Sequence, residues 1–491
     1  MTGFSLKVLE KIYQLMDRDM EKDSALKSVE IARPPRGLMI LGLVGPGLVW
    51  AGEYIGSGEV ILCTRLGAVM GTAMLWVPMV AIVLKYWIGV SGARYTVCVG
   101  EGMIDMFGRM PGPGKWAVWI VLVGQFSAGA VSIAALALAA GTFIHALLPV
   151  SQVVVGWVVT LFCVSVVWSG RFDTLKYITS FLVLIMVIGV IYVAWKVMPG
   201  INSILLGLFG FGMPEVPAWA IEQGAATENA WADILPVLGW AAGGFASQAW
   251  YSYWVLESGF GMAGVGGFGK PANENALLTM TAETAKRIKG WCRVVYTDAS
   301  VALIVGTIVT GCFLIAGEGV LGTARLAPQG PEVAVELSEL FAVFWGKTGA
   351  VLFLLAGSAA MISTNLCQFA GWPRIMADCL RILFPGKVTS SKSRSVYRMF
   401  VIFFLFSNMV LINTFGFKPL VLIKLGAILD GILLSPLQAV LVAVALYLVM
   451  PRMLSESARK ILRPKPVILV GLIVSAVVFG YFAVVKIPTL L

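Results

Sequence analysis

WAGEYIGSGEVIL, residues 50–62, sets two carboxylates, Glu53 and Glu59, on either side of a Gly-Ser-Gly triplet in an otherwise apolar run. The rest of the chain gives that run its setting. Of 491 residues, 59% are hydrophobic and only 13% are charged, and the mean hydropathy is +0.89. Apolar runs recur along the whole length, each near or above the ~20 residues that cross a ~30 Å hydrocarbon core. An ionised side chain in such a run costs several kcal/mol unless it faces a partner or a water-filled cavity. Unwound backbone at membrane depth is tolerated only where protein or water encloses it. Residues 50–62 therefore read as a helix broken in mid-membrane, with Gly56 and Gly58 permitting the unwinding and Glu53, Gly56, Ser57 and Glu59 lining a site; this is a device of secondary transporters. The structural alternative is a close-packing patch of small residues, with the acids hydrogen-bonded to a neighbouring helix.

Hydropathy and the Gly, Pro and charge breaks give eleven spans, near 38–62, 71–93, 116–147, 152–169, 175–197, 234–258, 294–317, 347–369, 399–415, 420–449 and 467–488. A repeat-built core needs a second broken helix five spans after the first. The sixth span, GWAAGGFASQAWYSYWVLESGFG (residues 239–261), supplies Gly243-Gly244 leading into Ser247-Gln248. The expected architecture is all-α: residues 38–198 as a first five-helix repeat, 199–233 as an external loop, 234–450 as an inverted second repeat, and 451–491 as a cytoplasmic loop with a peripheral eleventh helix. Residues 1–37 form a cytoplasmic segment in which Leu6, Leu9, Tyr13, Met16 and Met20 fit an amphipathic helix on the membrane surface or a solvated tail equally well.

Charge placement fixes the expected orientation. Basic residues such as Arg109, Lys286, Arg287, Lys289, Arg374 and Arg381 fall in the segments that are cytoplasmic if the N-terminus is inside, whereas 199–233 and 318–346 carry Glu215, Glu222, Glu228, Asp233, Glu318 and Glu332. The asymmetry predicts a protein of the bacterial plasma membrane, N-terminus cytoplasmic and C-terminus external. The charged N-terminus lacks the pattern of a cleaved signal peptide. The formal charge of +10 belongs to these loops and not to a nucleic-acid surface. The seven cysteines form no CxxC pair and read as small core residues. With no nucleophile–base pair, phosphate loop or cofactor signature, an enzyme is not expected, nor a cofactor.

Three stretches carry a resemblance. VGPGLVWAGEYIGSGEV (44–60), SGARYTVCVGEGM (91–103) and LLGLFGFGMPEVP (205–217) resemble the first helix, the end of the second helix and the loop after the fifth in the NRAMP (natural resistance-associated macrophage protein) metal transporters. With the span count, the resemblance runs from about Gly37 to Met450. It implies a leucine-transporter-type fold, a site between helices 1, 6 and 10, and a metal substrate. The departures fall on the implied ligands: Gly56 stands where the family has Asp, Glu59 where it has Asn, and Ser247-Gln248-Ala249 where it has Met-Pro-His. Loss of the thioether favours a hard ion held by oxygen over an iron-type ion. The family's proton route resembles a chain of acids on helix 3 and a histidine on helix 6. Here no Asp or Glu lies between Asp105 and Asp173, and the single histidine, His145, sits at the end of span 3, so transport without proton coupling is expected.

Other polar residues complete the reading. Ser363 and Thr364 on span 8 are candidates for a sodium site, or ordinary interhelical hydrogen-bonders. Asp430 on span 10 is a third site carboxylate, making Glu53, Glu59 and Asp430 the candidate metal ligands, unless it pairs with Lys424. Lys85 on span 2 is within snorkelling reach of the interface and partners an acid or a carbonyl. Trp250 and Tyr251, beside Tyr253 and Trp254, open a rival reading in which an aromatic and carboxylate lining takes an organic cation or small polar solute; a non-transporting or channel-like relative is the further alternative. The expected partners are a cation and the lipid bilayer.

Overall fold

The computed structural model describes residues 31–169, 173–266, 269–388, 390–416 and 418–490; the amphipathic segment predicted around Leu6 to Met20 lies outside them. The first span is divided into α1 (Pro46–Tyr54), a π-helical stretch (Gly58–Cys63) and α2 (Thr64–Met70). There follow α3 (Trp76–Val99), a short α4 (Met103–Gly108), α5 (Trp116–His145), α6 (Gln152–Ser169), α7 (Asp173–Lys196) and α8 (Ile201–Phe209). The second half comprises α9 (Trp231–Trp240), α10 (Phe245–Glu257), α11 (Ala282–Ala316), α12 (Val333–Leu383) and α13 (Ser390–Phe415). It closes with α14 (Pro419–Ile428), a π-helical stretch (Leu429–Leu433), α15 (Ser435–Val444) and α16 (Pro466–Tyr481).

Among the described residues, eight helices are long and apolar enough to cross a membrane, ten when each of two bent pairs is taken as one span. The predicted span 234–258 is instead two helices of 10 and 13 residues, each too short to cross alone. Two boundaries differ from the sequence reading. The outer segment 318–346 is mostly helical, because a π turn prolongs α11 through Gly322 and α12 begins at Val333, kinking at Gly346, where φ is 58°. Within 199–233, α8 folds back at 115° to the second half of α7.

Both expected breaks are present, with different causes. In the first span Ile55 leaves helical geometry (φ −71°, ψ 75°), yet neither Gly56 nor Gly58 adopts a positive φ. Their smallness serves close approach and not unwinding, contrary to the sequence reading. A Cβ on Gly56 would lie 2.9 Å from Thr364 Oγ1, and one on Gly58 would lie 2.8 Å from the Trp240 carbonyl. In the sixth span the conformation itself is unusual: Ala242 (φ 62°) and Gly243 (φ 67°) are consecutive left-handed residues. For alanine that geometry costs roughly 1–2 kcal/mol, so the surroundings must hold it.

Glycine seams then draw the helices together. Gly67 of α2 abuts the Leu314 carbonyl while Gly317 abuts the Thr64 carbonyl, and Gly431 abuts the Gly239 carbonyl. Such contacts let backbones approach where lipid offers no hydrophobic drive between helices. Gly431→Ala is expected to destabilise the fold by about 1–3 kcal/mol through overpacking, seen as a lower melting temperature of the detergent-solubilised protein. Gly52→Ala, on open α1 surface, should leave it unchanged or raised; equal behaviour of the two variants would show that the seam relaxes freely.

Candidate functional site

The two breaks face one another across a cavity of about 30 Å³, enough for a water or two. Glu53 from the end of α1, Ser247 from the first turn of α10, Thr364 and Gln368 from α12 and Asp430 from the π turn line it. Gly56 and Ser57 form its floor, and the rings of Trp240, Trp250 and Trp372 close it. Glu53, Gly56, Ser57, Ser247, Trp250 and Asp430 are thus brought together, as expected from the sequence. A second cavity of about 730 Å³ adjoins it between α1, α7, α10 and α12, and Glu53 and Trp250 line both.

Each carboxylate is held in a defined way. Glu53 Oε2 accepts the Ser247 hydroxyl proton, and Ser247 Oγ accepts from Trp50 Nε1 at 3.1 Å. Asp430 Oδ1 accepts two N–H groups, from Gln125 Nε2 at 3.1 Å and from Ala246 at 3.2 Å. The Gln125 amide can point only one way: its Oε1 accepts from Trp372 Nε1 at 2.9 Å, and an indole nitrogen only donates. Asp430 is therefore not paired with Lys424, whose Nζ lies 2.5 Å from Asp233 Oδ1 in a buried triad with Arg65. Gln368 Oε1 and Trp250 Nε1 are buried with no hydrogen-bond partner among the described residues.

Other predicted site residues stand elsewhere. Glu59 is fully buried but off the cavity wall: its Oε1 accepts from Ala242 N at 3.3 Å and its Oε2 from Gly56 N at 3.5 Å, so it braces the two breaks against each other. Gln248 turns back to donate to the Ala242 carbonyl at 3.2 Å. Tyr251 stacks on Trp50 at 4.5 Å and donates to Asp298 Oδ2 at 2.8 Å, while Asp298 Oδ1 accepts from Gly45 N; that brace secures the start of α1. Tyr251 is thereby engaged away from both cavities, whereas Trp250, Tyr253 and Trp254 line the larger one together with Glu53. Ser363 and Thr364 face different cavities, and the Thr364 hydroxyl donates to the Glu53 carbonyl at 3.3 Å, so the two hydroxyls do not converge on one ion. His145 meets the Val150 carbonyl at 2.7 Å at the end of α5.

Lys85 does not snorkel. It is 0% exposed, and its Nζ donates to the carbonyls of Gly239, Ala241 and Gly243 at 2.6, 2.8 and 2.5 Å. Sequence reasoning missed Gln125 and Gln368. Gln125 is an amide in the apolar run IVLVGQF and Gln368 follows Ser363-Thr364-Asn365 in span 8; polar side chains inside a span are the signal for an intramembrane functional position.

Chemically, the cavity offers two carboxylates, an amide oxygen and hydroxyls, all hard donors suited to a divalent ion that keeps some of its water. Among the described residues no group of three or more His, Cys, Asp or Glu side chains could hold a metal, so neutral oxygens would have to complete the shell.

Known proteins bear on the fold. No family model matches the chain. An uncharacterised protein of Pasteurella multocida is 23% identical over 216 residues, 43% of this chain and 47% of its own length. A divalent metal cation transporter, MntH, of Yersinia pestis is 28% identical over 95 residues, 19% of this chain and 23% of its own. The chain thus spans less than half the length of these relatives. Among solved structures, a mutant manganese transporter of Eremococcus coleocola superposes with a TM-score of 0.65 at 14% identity, covering 94% of this chain and 90% of that one. The fold is the leucine-transporter type. MhsT in complex with L-phenylalanine (TM-score 0.52, 10% identity, 92% of this chain and 100% of that one) and the nucleobase-cation-symport-1 family transporter Mhp1 (0.51, 15%, 92% and 94%) share it.

Gln125→Leu removes one hydrogen bond to a charged acceptor, worth about 1.5–3 kcal/mol, and is expected to weaken binding of a divalent cation by roughly tenfold or more while the protein stays folded. Calorimetric titration with Mn²⁺ and Mg²⁺ measures it; unchanged affinity would show that this amide does not position Asp430 for a ligand.

Proposed function

We propose that this chain is a secondary transporter of a divalent metal cation, bound by Glu53 and Asp430 with neutral oxygens from Gln368, Thr364 and Ser247. The observation that carries the reading is the meeting of two carboxylates from different halves of the chain, beside an unpartnered amide oxygen, where two membrane helices are interrupted. The cavity's size, about 30 Å³, suits an ion, whereas an organic solute would need the adjoining cavity of about 730 Å³. The name of the Yersinia relatives and the manganese transporters among the structural neighbours support the same class.

The larger cavity reaches Glu53 from the side on which α1 begins, while the Arg65–Asp233–Lys424 triad lies buried on the other. With the N-terminus in the cytoplasm this is an inward-facing arrangement, and access would alternate about the breaks. Transport proceeds without protons: the polar side chain that α5 presents to the site is Gln125, whose amide neither takes up nor releases one.

Proteoliposomes loaded with a metal-sensing dye test the proposal. Mn²⁺, Mg²⁺ or Ca²⁺ uptake is expected in the native protein and loss of about tenfold or more in Glu53→Gln and Asp430→Asn, since an amide cannot neutralise a cation. Native-like uptake by both variants, or uptake of organic amines with no divalent ion transported, would overturn it. In the same vesicles a pH dye should register no acidification during metal entry, and an imposed pH gradient should drive no accumulation; substrate-dependent acidification would show the coupling reading wrong.

A further inference from the structure

A lysine in the middle of an apolar helix, wholly buried, needs three acceptors for its three N–H groups. Lys85 finds them all on main-chain carbonyls, those of Gly239, Ala241 and Gly243, at 2.5–2.8 Å; none of these bonds goes to a carboxylate. The three oxygens converge because α9 stops at Trp240 and the chain then passes through the two left-handed residues Ala242 and Gly243. The oxygens lie at the C-terminal, electronegative end of a half-helix. Glu59 and Asp430 are the nearby carboxylates whose charge reaches the ammonium. Freed carbonyls at a half-helix C-terminus are the ligands with which broken-helix transporters hold small coupling cations.

We propose that the sixth break is a monovalent-cation site permanently occupied by a tethered ion, the Lys85 ammonium, so that the chain takes up no free cation there. The site belongs to the class that takes ammonium, Na⁺ or K⁺, and it is separate from the Glu53–Asp430 cavity, whose lining does not include Lys85. The lysine stem lies in α3 and its ammonium is 5.9 Å from the centroid of the Phe479 ring. Removing the stem would leave room for an ion to enter between α3, α9 and α16.

The test is the melting temperature of Lys85→Ala purified in ammonium chloride and then exchanged into equal concentrations of ammonium, K⁺, Na⁺ or choline chloride. The variant is expected to melt well below the native protein in choline and to recover by about 5 °C or more, saturably, in at least one of the small cations. The native protein should respond equally to all four salts. Lys85→Met, which refills the stem without a charge, should be destabilised and show no recovery, separating site occupancy from a general salt effect. Identical melting of Lys85→Ala in choline and in the small cations, a native protein that itself responds to them, or failure of Lys85→Ala to fold in any of the salts would each overturn the proposal. Because the readout is stability, it stands or falls independently of whether the neighbouring cavity carries a metal.

Discussion

A helix cut in the middle of a bilayer leaves carbonyls with no N–H to receive and no water to replace it, and each such group costs several kcal/mol in hydrocarbon. In this protein three of the carbonyls at the sixth break are met by one side chain from another helix, Lys85. Much of the site's geometry follows from that contact. The ammonium fixes three carbonyls, which fixes the left-handed turn at Ala242 and Gly243; Glu59 and Gln248 take the N–H and C=O of Ala242 between them. With the turn fixed, α10 begins at Phe245 and delivers Ser247 to Glu53 and the Ala246 N–H to Asp430. The charges also complement one another locally, since Glu59 and Asp430 lie near the resident cation.

The proposed site departs from the pattern that the sequence resembles. Gly56 brings the backbone of the first break within contact of Thr364, where a side chain would intrude on the space. The carboxylates that line the cavity come from one turn earlier, Glu53, and from the far end of the sequence, Asp430. Gln125, oriented by Trp372, holds one Asp430 oxygen, and the Trp240 side chain also hydrogen-bonds this carboxylate.

Much of this was legible in the sequence, and the remainder has identifiable reasons. The membrane class and the two breaks followed from hydropathy and from glycine clusters, and Glu53 and Asp430 declared themselves as acids where acids are costly. Three readings failed because sequence gives spacing but not direction. Glu59 is equally acidic and equally buried, yet it points across to Ala242 and away from the cavity. Tyr251 sits one residue after Trp250 and so points to another side of the helix, towards Asp298. Gly56 and Gly58 looked like hinges, whereas they are contacts, because a glycine needed for space and one needed for a positive φ read alike. Lys85 was recognised as a partner for a carbonyl, but only three-dimensional proximity reveals three carbonyls, all from one break.

The buried triad has a mechanical consequence. Arg65 belongs to α2, Asp233 to α9 and Lys424 to α14, the segments lying on one side of the interruptions in the first, sixth and tenth spans. Pulling one partner from a buried ion cluster costs roughly 3–5 kcal/mol, more than moving all three together. The knot therefore ties these half-helices into one rigid unit, and in the transport reading proposed above the interruptions beneath it are the joints about which that unit would swing without bending any helix.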